Sequence, residues 1–154
     1  MAEYTFDVQK LYIEMLLADA ESFARAQNIF KPESFDRKLQ PIAKFVIVTE
    51  GPFDAIAVSG VSILGSEIND TQRELIDGLG RQVIVVPDRD APGEKLINQA
   101  IEFGWSVAFP DWDKTVGDVA DAVLKYGRLF TLQSILKTTE SSKLKIDLKR
   151  KMYG

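Results

Sequence analysis

Val83-Ile84-Val85-Val86, four consecutive β-branched residues closed by Pro87-Asp88, constrain this chain more than any other stretch. A run with no polar face suits a strand buried on both sides, the condition of a parallel sheet covered by helices. Ile42–Thr49 repeats the pattern, is rich in β-branched residues and closes on Glu50-Gly51-Pro52. Two such strands need long crossover connections, because a parallel pair cannot be joined by a hairpin.

The intervening segments have the right length for those crossovers. Phe53–Ser59 suits a short helix, Val61–Leu64 a second strand, and Asn69 or Asp70 caps a helix that Gly78 and Gly80 stop near Leu79. Pro92 opens a helix ending at Gly104, Trp105–Phe109 gives a fourth strand, and Gly117–Tyr126 forms a helix that Gly127 terminates. Before this core, apolar residues from Phe6 to about Ala26 recur at spacings of three and four, predicting an amphipathic helix. A connector with Pro32 and Pro41 follows it. Beyond Thr138 the chain turns polar and basic, predicting a frayed helix or a tail. The expected organisation is an N-terminal helix and connector (1–41), an α/β domain with a mainly parallel sheet of about four strands flanked by helices (42–127), and a C-terminal helix with a basic tail (128–154). Phe53 and Trp105 are expected in the core, and Trp112 in an exposed loop between Asp111 and Asp113.

Among the 154 residues there is no cysteine and no histidine. Disulfides, thiolate nucleophiles, zinc sites and Ser-His-Asp triads are thereby excluded. The remaining hard oxygen ligands suit Mg²⁺ or Mn²⁺. No apolar run reaches the roughly 18 residues of a membrane span, and no signal peptide opens the chain, so a soluble, cytoplasmic protein is expected. The net charge is −4, yet Lys143, Lys145, Lys149, Arg150 and Lys151 against Asp147 give the tail +4 and leave the rest at −8. The basic tail is a candidate phosphate contact, whereas the acidic body would bind nucleic acid weakly without metal ions or a basic partner.

In open parallel sheets, ligands bind at the carboxyl ends of the strands. Glu50 follows the first strand and Asp88 the third, with Asp90 two residues on, so all three are expected at that edge. One strand-end acid is commonly a helix cap or a solvated group. Three at two matching strand ends repel one another unless a cation compensates them, and a divalent metal is the simplest resolution. Asp54, four residues past Glu50, lies in the first turn of its helix, where it suits the helix dipole. Asp118 and Asp121 open the last core helix as caps or as further ligands.

Two motifs carry a family resemblance: Val48–Val58 (VTEGPFDAIAV) and Val83–Gly93 (VIVVPDRDAPG). With Glu after the first strand and Asp-x-Asp after the third, the chain resembles the Toprim family, the catalytic module of bacterial and phage DNA primases, type IA and II topoisomerases and some nucleases. It is most similar to primases, whose first motif reads Glu-Gly-x-x-Asp and whose second continues Ala-Gly, here Ala91-Pro92-Gly93 with one residue inserted. Phe109–Tyr126, with Pro-Asp followed by spaced acids, resembles the end of the primase module. The resemblance spans about Ile42 to Gly127 and implies a Toprim-like, Rossmann-like fold.

What the resemblance implies is metal-dependent phosphoryl transfer on nucleic acid in replication. Asp88 and Asp90, with Asp118 as the third acidic position and Asp121 beside it, would hold one or two Mg²⁺ or Mn²⁺ ions. Glu50 would be a ligand or acid-base group supported by Asp54. The implied partners are single-stranded DNA and nucleoside triphosphates, in a bacterial cell or encoded by a phage. A complete primase also carries a zinc-binding module and a basic subdomain, for which this chain has neither the residues nor the length. The expectation is a fragment, a subunit completed by a basic or zinc-binding part or a replicative helicase, or a Toprim-only protein. A Toprim nuclease and a non-catalytic module binding a replication partner are the alternatives. Phosphatases with Asp-x-Asp-x-Thr and response-regulator receivers fit less well, because Asp90 is followed by Ala91-Pro92.

Overall fold

The computed structural model describes residues 5–9, 11, 44–88 and 91–153. The chain divides into two compact units, Met1–Lys44 and Phe45–Gly154. In the first, residues 6–9 are helical and the Gln9 N–H donates to the Thr5 carbonyl at 3.0 Å. The rest of the helix expected to Ala26, and the connector to Pro41, lie outside the described residues.

The second unit is α/β. Its strands are β1 (Phe45–Thr49), β2 (Val61–Ser62), β3 (Gln82–Val85), β4 (Ser106–Ala108) and β5 (Thr139–Glu140). Its helices are α1 (Pro52–Val58), α2 (Asp70–Asp77), α3 (Ala91–Phe103), α4 (Val119–Tyr126), α5 (Arg128–Thr138) and α6 (Lys143–Tyr153). The sheet order is β2-β1-β3-β4-β5. The first four strands are parallel, with Val48 opposite Val61 and Val85, and β5 runs antiparallel to β4.

Side-chain alternation divides the core between the two sheet faces. Val46, Val48, Val83, Val85 and Val107 point to one face, packing with Ile76 of α2, Leu96, Ile97 and Ala100 of α3, and Ile146 of α6. Ile47 and Ile84 therefore point to the other, and the buried Ala55, Val58, Ala122, Leu132 and Ile135 come from α1, α4 and α5. The nearly unbroken burial of β1 and β3 is what their β-branched runs require, and β4 is buried along its whole length.

Local signals set the helix ends. Asn69 and Gln72 form a reciprocal capping box at α2. Asp118 caps α4, accepting from the Asp121 N–H at 2.7 Å. Gly127 stands between α4 and α5.

Three expectations are corrected. The sheet has five strands, because Thr139 and Glu140 add an antiparallel edge strand too short and polar to be recognised from its residues. The segment beyond Thr138 is not a frayed tail: α6 anchors Ile146, 1% exposed, in the main core. Trp112 is buried, its indole N–H donating to Ser134 Oγ at 2.7 Å, although Asp111 and Asp113 on either side are exposed as expected. No described helix is long and apolar enough to cross a membrane.

Candidate acidic site at the carboxyl ends of β1 and β3

The strand order makes β1 and β3 special. The chain leaves β1 for β2 on one side and later returns to β3 on the other, so the loops after β1 and β3 diverge and leave a crevice at the carboxyl edge. Glu50 follows β1, and Asp88 lies three residues past the end of β3. They meet there: the Asp88 N–H donates to Glu50 Oε1 at 3.3 Å. Both are partly exposed, as groups facing a ligand must be. Asp90 lies outside the described residues.

The turn after β1 is tied on both flanks. Thr49 Oγ1 donates to the Gly51 carbonyl at 3.1 Å, and Ser62 Oγ of β2 donates to the Glu50 carbonyl at 2.8 Å. On the β3 side, a Cβ at Gly93 would overlap the Asp88 carbonyl oxygen. Only glycine lets the first turn of α3 close on the Asp88 backbone.

Asp54 does more than complement its own helix dipole. It is 7% exposed and accepts from the Ala120 N–H at the start of α4 at 2.9 Å, across 66 residues of sequence. Burial pushes its carboxyl above the ordinary aspartate range, and the nearby Asp118 charge acts in the same direction, while N–H donors from Ala120, its own backbone and Val119 oppose them. A Cβ at Gly51 would stand 2.7 Å from Asp54 Oδ2, which explains the glycine between the two acids. Asp54 therefore clamps the Glu50 turn to the turn carrying Asp118 and Asp121.

That third acidic turn is occupied by capping. Asp118 binds the Asp121 N–H, and Asp121 Oδ2 accepts from the Gly117 N–H at 3.2 Å. Asp113 accepts from the Thr115 N–H and hydroxyl and pairs with Lys125 at 3.5 Å. These hydrogen bonds, then Lys125, hold its carboxyl below the usual range. In the tail, Lys149 and Lys145 pair with Glu140 at 2.8 and 3.7 Å, and Arg150 with Asp147 at 3.1 Å. Lys143 and Lys151 are exposed.

Sequence reasoning missed the inward turn of Asp54, the Ser62 tether and the close approach at Gly93. The four-residue spacing of Glu50 and Asp54 was a signal for the first, since it sets Asp54 one helical turn beyond the crevice. Phe53, expected in the core, is instead exposed at the first turn of α1. Asp54, Ala55 and Val58 take the buried face of that helix and rotate Phe53 and Ile56 outward.

Among the described residues, no three acidic groups form a ready-made metal cage. Mg²⁺ does not need one, because it is commonly held by one or two carboxylates with water and substrate phosphates completing the shell. Glu50 and Asp88, whose turns meet through the Asp88 N–H, offer carboxylate oxygens of the type such an ion takes. No family model and no curated protein matches this chain.

Proposed function

We propose that this α/β unit is a Toprim-type catalytic module, most similar to that of DNA primases, performing metal-dependent phosphoryl transfer on nucleic acid. The observation that carries this reading is the meeting of Glu50 and Asp88 at the β1/β3 switch point. The motif pair Glu-Gly-x-x-Asp and Asp-x-Asp supports the same assignment. The fifth, antiparallel strand stands beyond the four that the residue pattern predicts.

Glu50 and Asp88, with Asp90, would hold Mg²⁺ or Mn²⁺, and Asp118 is the further candidate ligand. A bound ion supplies charge neutralisation on the phosphates and a more acidic primer 3′-hydroxyl. Glu50, held against the Asp88 backbone, would either ligate that ion or take the proton of the attacking hydroxyl at its carboxylate. Asp54 keeps the Glu50 turn rigid, and Asp121 braces the loop before α4. The Lys143–Lys151 segment is at best a secondary phosphate contact, because Lys145, Lys149 and Arg150 are engaged with carboxylates. A basic or zinc-binding primase part, or a replicative helicase, would supply the template grip that the acidic body lacks.

The test is incubation of the chain with Mg²⁺, single-stranded DNA and labelled ribonucleotides beside Asp88→Ala. The expected result is labelled oligoribonucleotides, reduced about a hundredfold or more in the variant, the scale on which loss of a group stabilising transition-state charge is felt. Shortened DNA would assign the same site to hydrolysis. Product unchanged in the variant would refute it.

A further inference from the structure

We infer that the outer side of α6 docks a helix of a partner protein, an amphipathic helix whose apolar face is edged by Asp and Glu. The inference does not depend on the acidic crevice. It concerns the segment whose lysines the proposed reaction leaves largely unused.

Two sides of α6 carry apolar residues. On one, Ile146 is buried in the core, and Arg150 donates to Asn98 Oδ1 at 2.8 Å and pairs with Glu94 at 3.8 Å, both on α3. Those contacts set the rotation of α6 and leave Leu144, Leu148 and Met152 at 79%, 63% and 81% exposure. The three lie four residues apart in turn, so they stand in one row along the helix. Single exposed apolar residues are ordinary. A continuous row of three on a helix of 11 residues, whose other described outward residues are charged, is an unpartnered contact surface.

Shape and charge select the occupant. A row at i, i+4 and i+8 is the ridge by which one helix packs into the groove of another. It is one side chain wide, whereas a helix lying on a bilayer presents a broad apolar face. Lys145 and Lys151 each lie three residues from Leu148, on opposite sides of the ridge. Lys143 and Lys151 are exposed, and the Lys145 side chain is 68% exposed although it reaches Glu140 at 3.7 Å. Carboxylates beside the partner's apolar face would meet these ammonium groups at the margin of the contact, where complementary charge sets partner choice and approach rate. A second copy of α6 would instead bring like charges together. Phosphates would meet the lysines and leave the ridge uncovered.

Fluorescence anisotropy with two labelled helical peptides tests this: one carries leucines on one face with glutamates beside them, and its twin has lysines in place of the glutamates. The whole chain should bind the glutamate peptide about tenfold tighter than the twin, with an affinity that falls as salt rises. Leu148→Glu should weaken that binding about tenfold, Lys151→Glu should weaken it severalfold, and Lys151→Arg should preserve it. Both positions are exposed, so these variants should melt with the wild type. Asp88→Ala should bind the peptide as the wild type does, which separates docking from synthesis. Equal affinity for the two peptides, binding of neither, or binding untouched by Leu148→Glu would overturn the inference. So would self-association, or attachment to phosphatidylserine vesicles, that Leu148→Glu abolishes while the glutamate peptide stays unbound.

Discussion

Asp54 and Gly93 decide at the residue scale whether the acidic turns hold their positions. The Asp54 pKa is raised in the folded state, chiefly by burial. The stabilisation linked to its protonated form is therefore complete below the ordinary value of 3.8 and is lost as pH rises through the raised one. Asp54→Asn keeps an acceptor for the Ala120 N–H and cannot ionise. In metal-free urea unfolding, its stability relative to wild type should increase as pH climbs through that window; a flat or falling difference would refute the assignment. Gly93→Ala should displace the Asp88 backbone, destabilising the fold by about 1–3 kcal/mol and lowering metal-dependent activity more than the melting temperature suggests. A variant with native activity and stability would show that α3 closes without this contact.

At the level of elements, β1 and β3 were legible because their β-branched runs follow from burial on both faces. The helices between them were legible from Asn69, Pro92, Gly104 and Gly127. The ends were not. β5 is two polar residues whose pairing depends on β4, and among its described side chains α6 offers one fully buried apolar residue, Ile146, amid lysines that pair with Glu140. Neither leaves a periodic signal on its core side. Phe53 misled for a related reason: α1 carries apolar residues around most of its circumference, and the hydrogen bond from the Ala120 N–H to Asp54, together with the burial of Ala55 and Val58, fixes its rotation. The acids Glu50 and Asp88 were legible because strand ends converge on one edge, whereas the capping of Asp118 and Asp121 depends on a turn that sequence alone does not define. Since α6 completes the core, Ile146→Ala should cost about 2–5 kcal/mol in denaturant unfolding. A loss under about 0.5 kcal/mol, the range of surface substitutions, would return the segment to the status of a tail.

For the whole molecule, the strand order links architecture to chemistry. It opens the crevice between β1 and β3 and brings Glu50 and Asp88 to its two sides. The central claim is that Glu50 and Asp88 hold a divalent cation, and paramagnetic Mn²⁺ titrated into the isotope-labelled chain tests it most directly. The amide signals of Glu50, Gly51 and Asp88 should broaden first, and Asp88→Asn should abolish that response. Broadening that begins instead at Asp111 and Asp113, or that survives the Asp88 substitution, would contradict it.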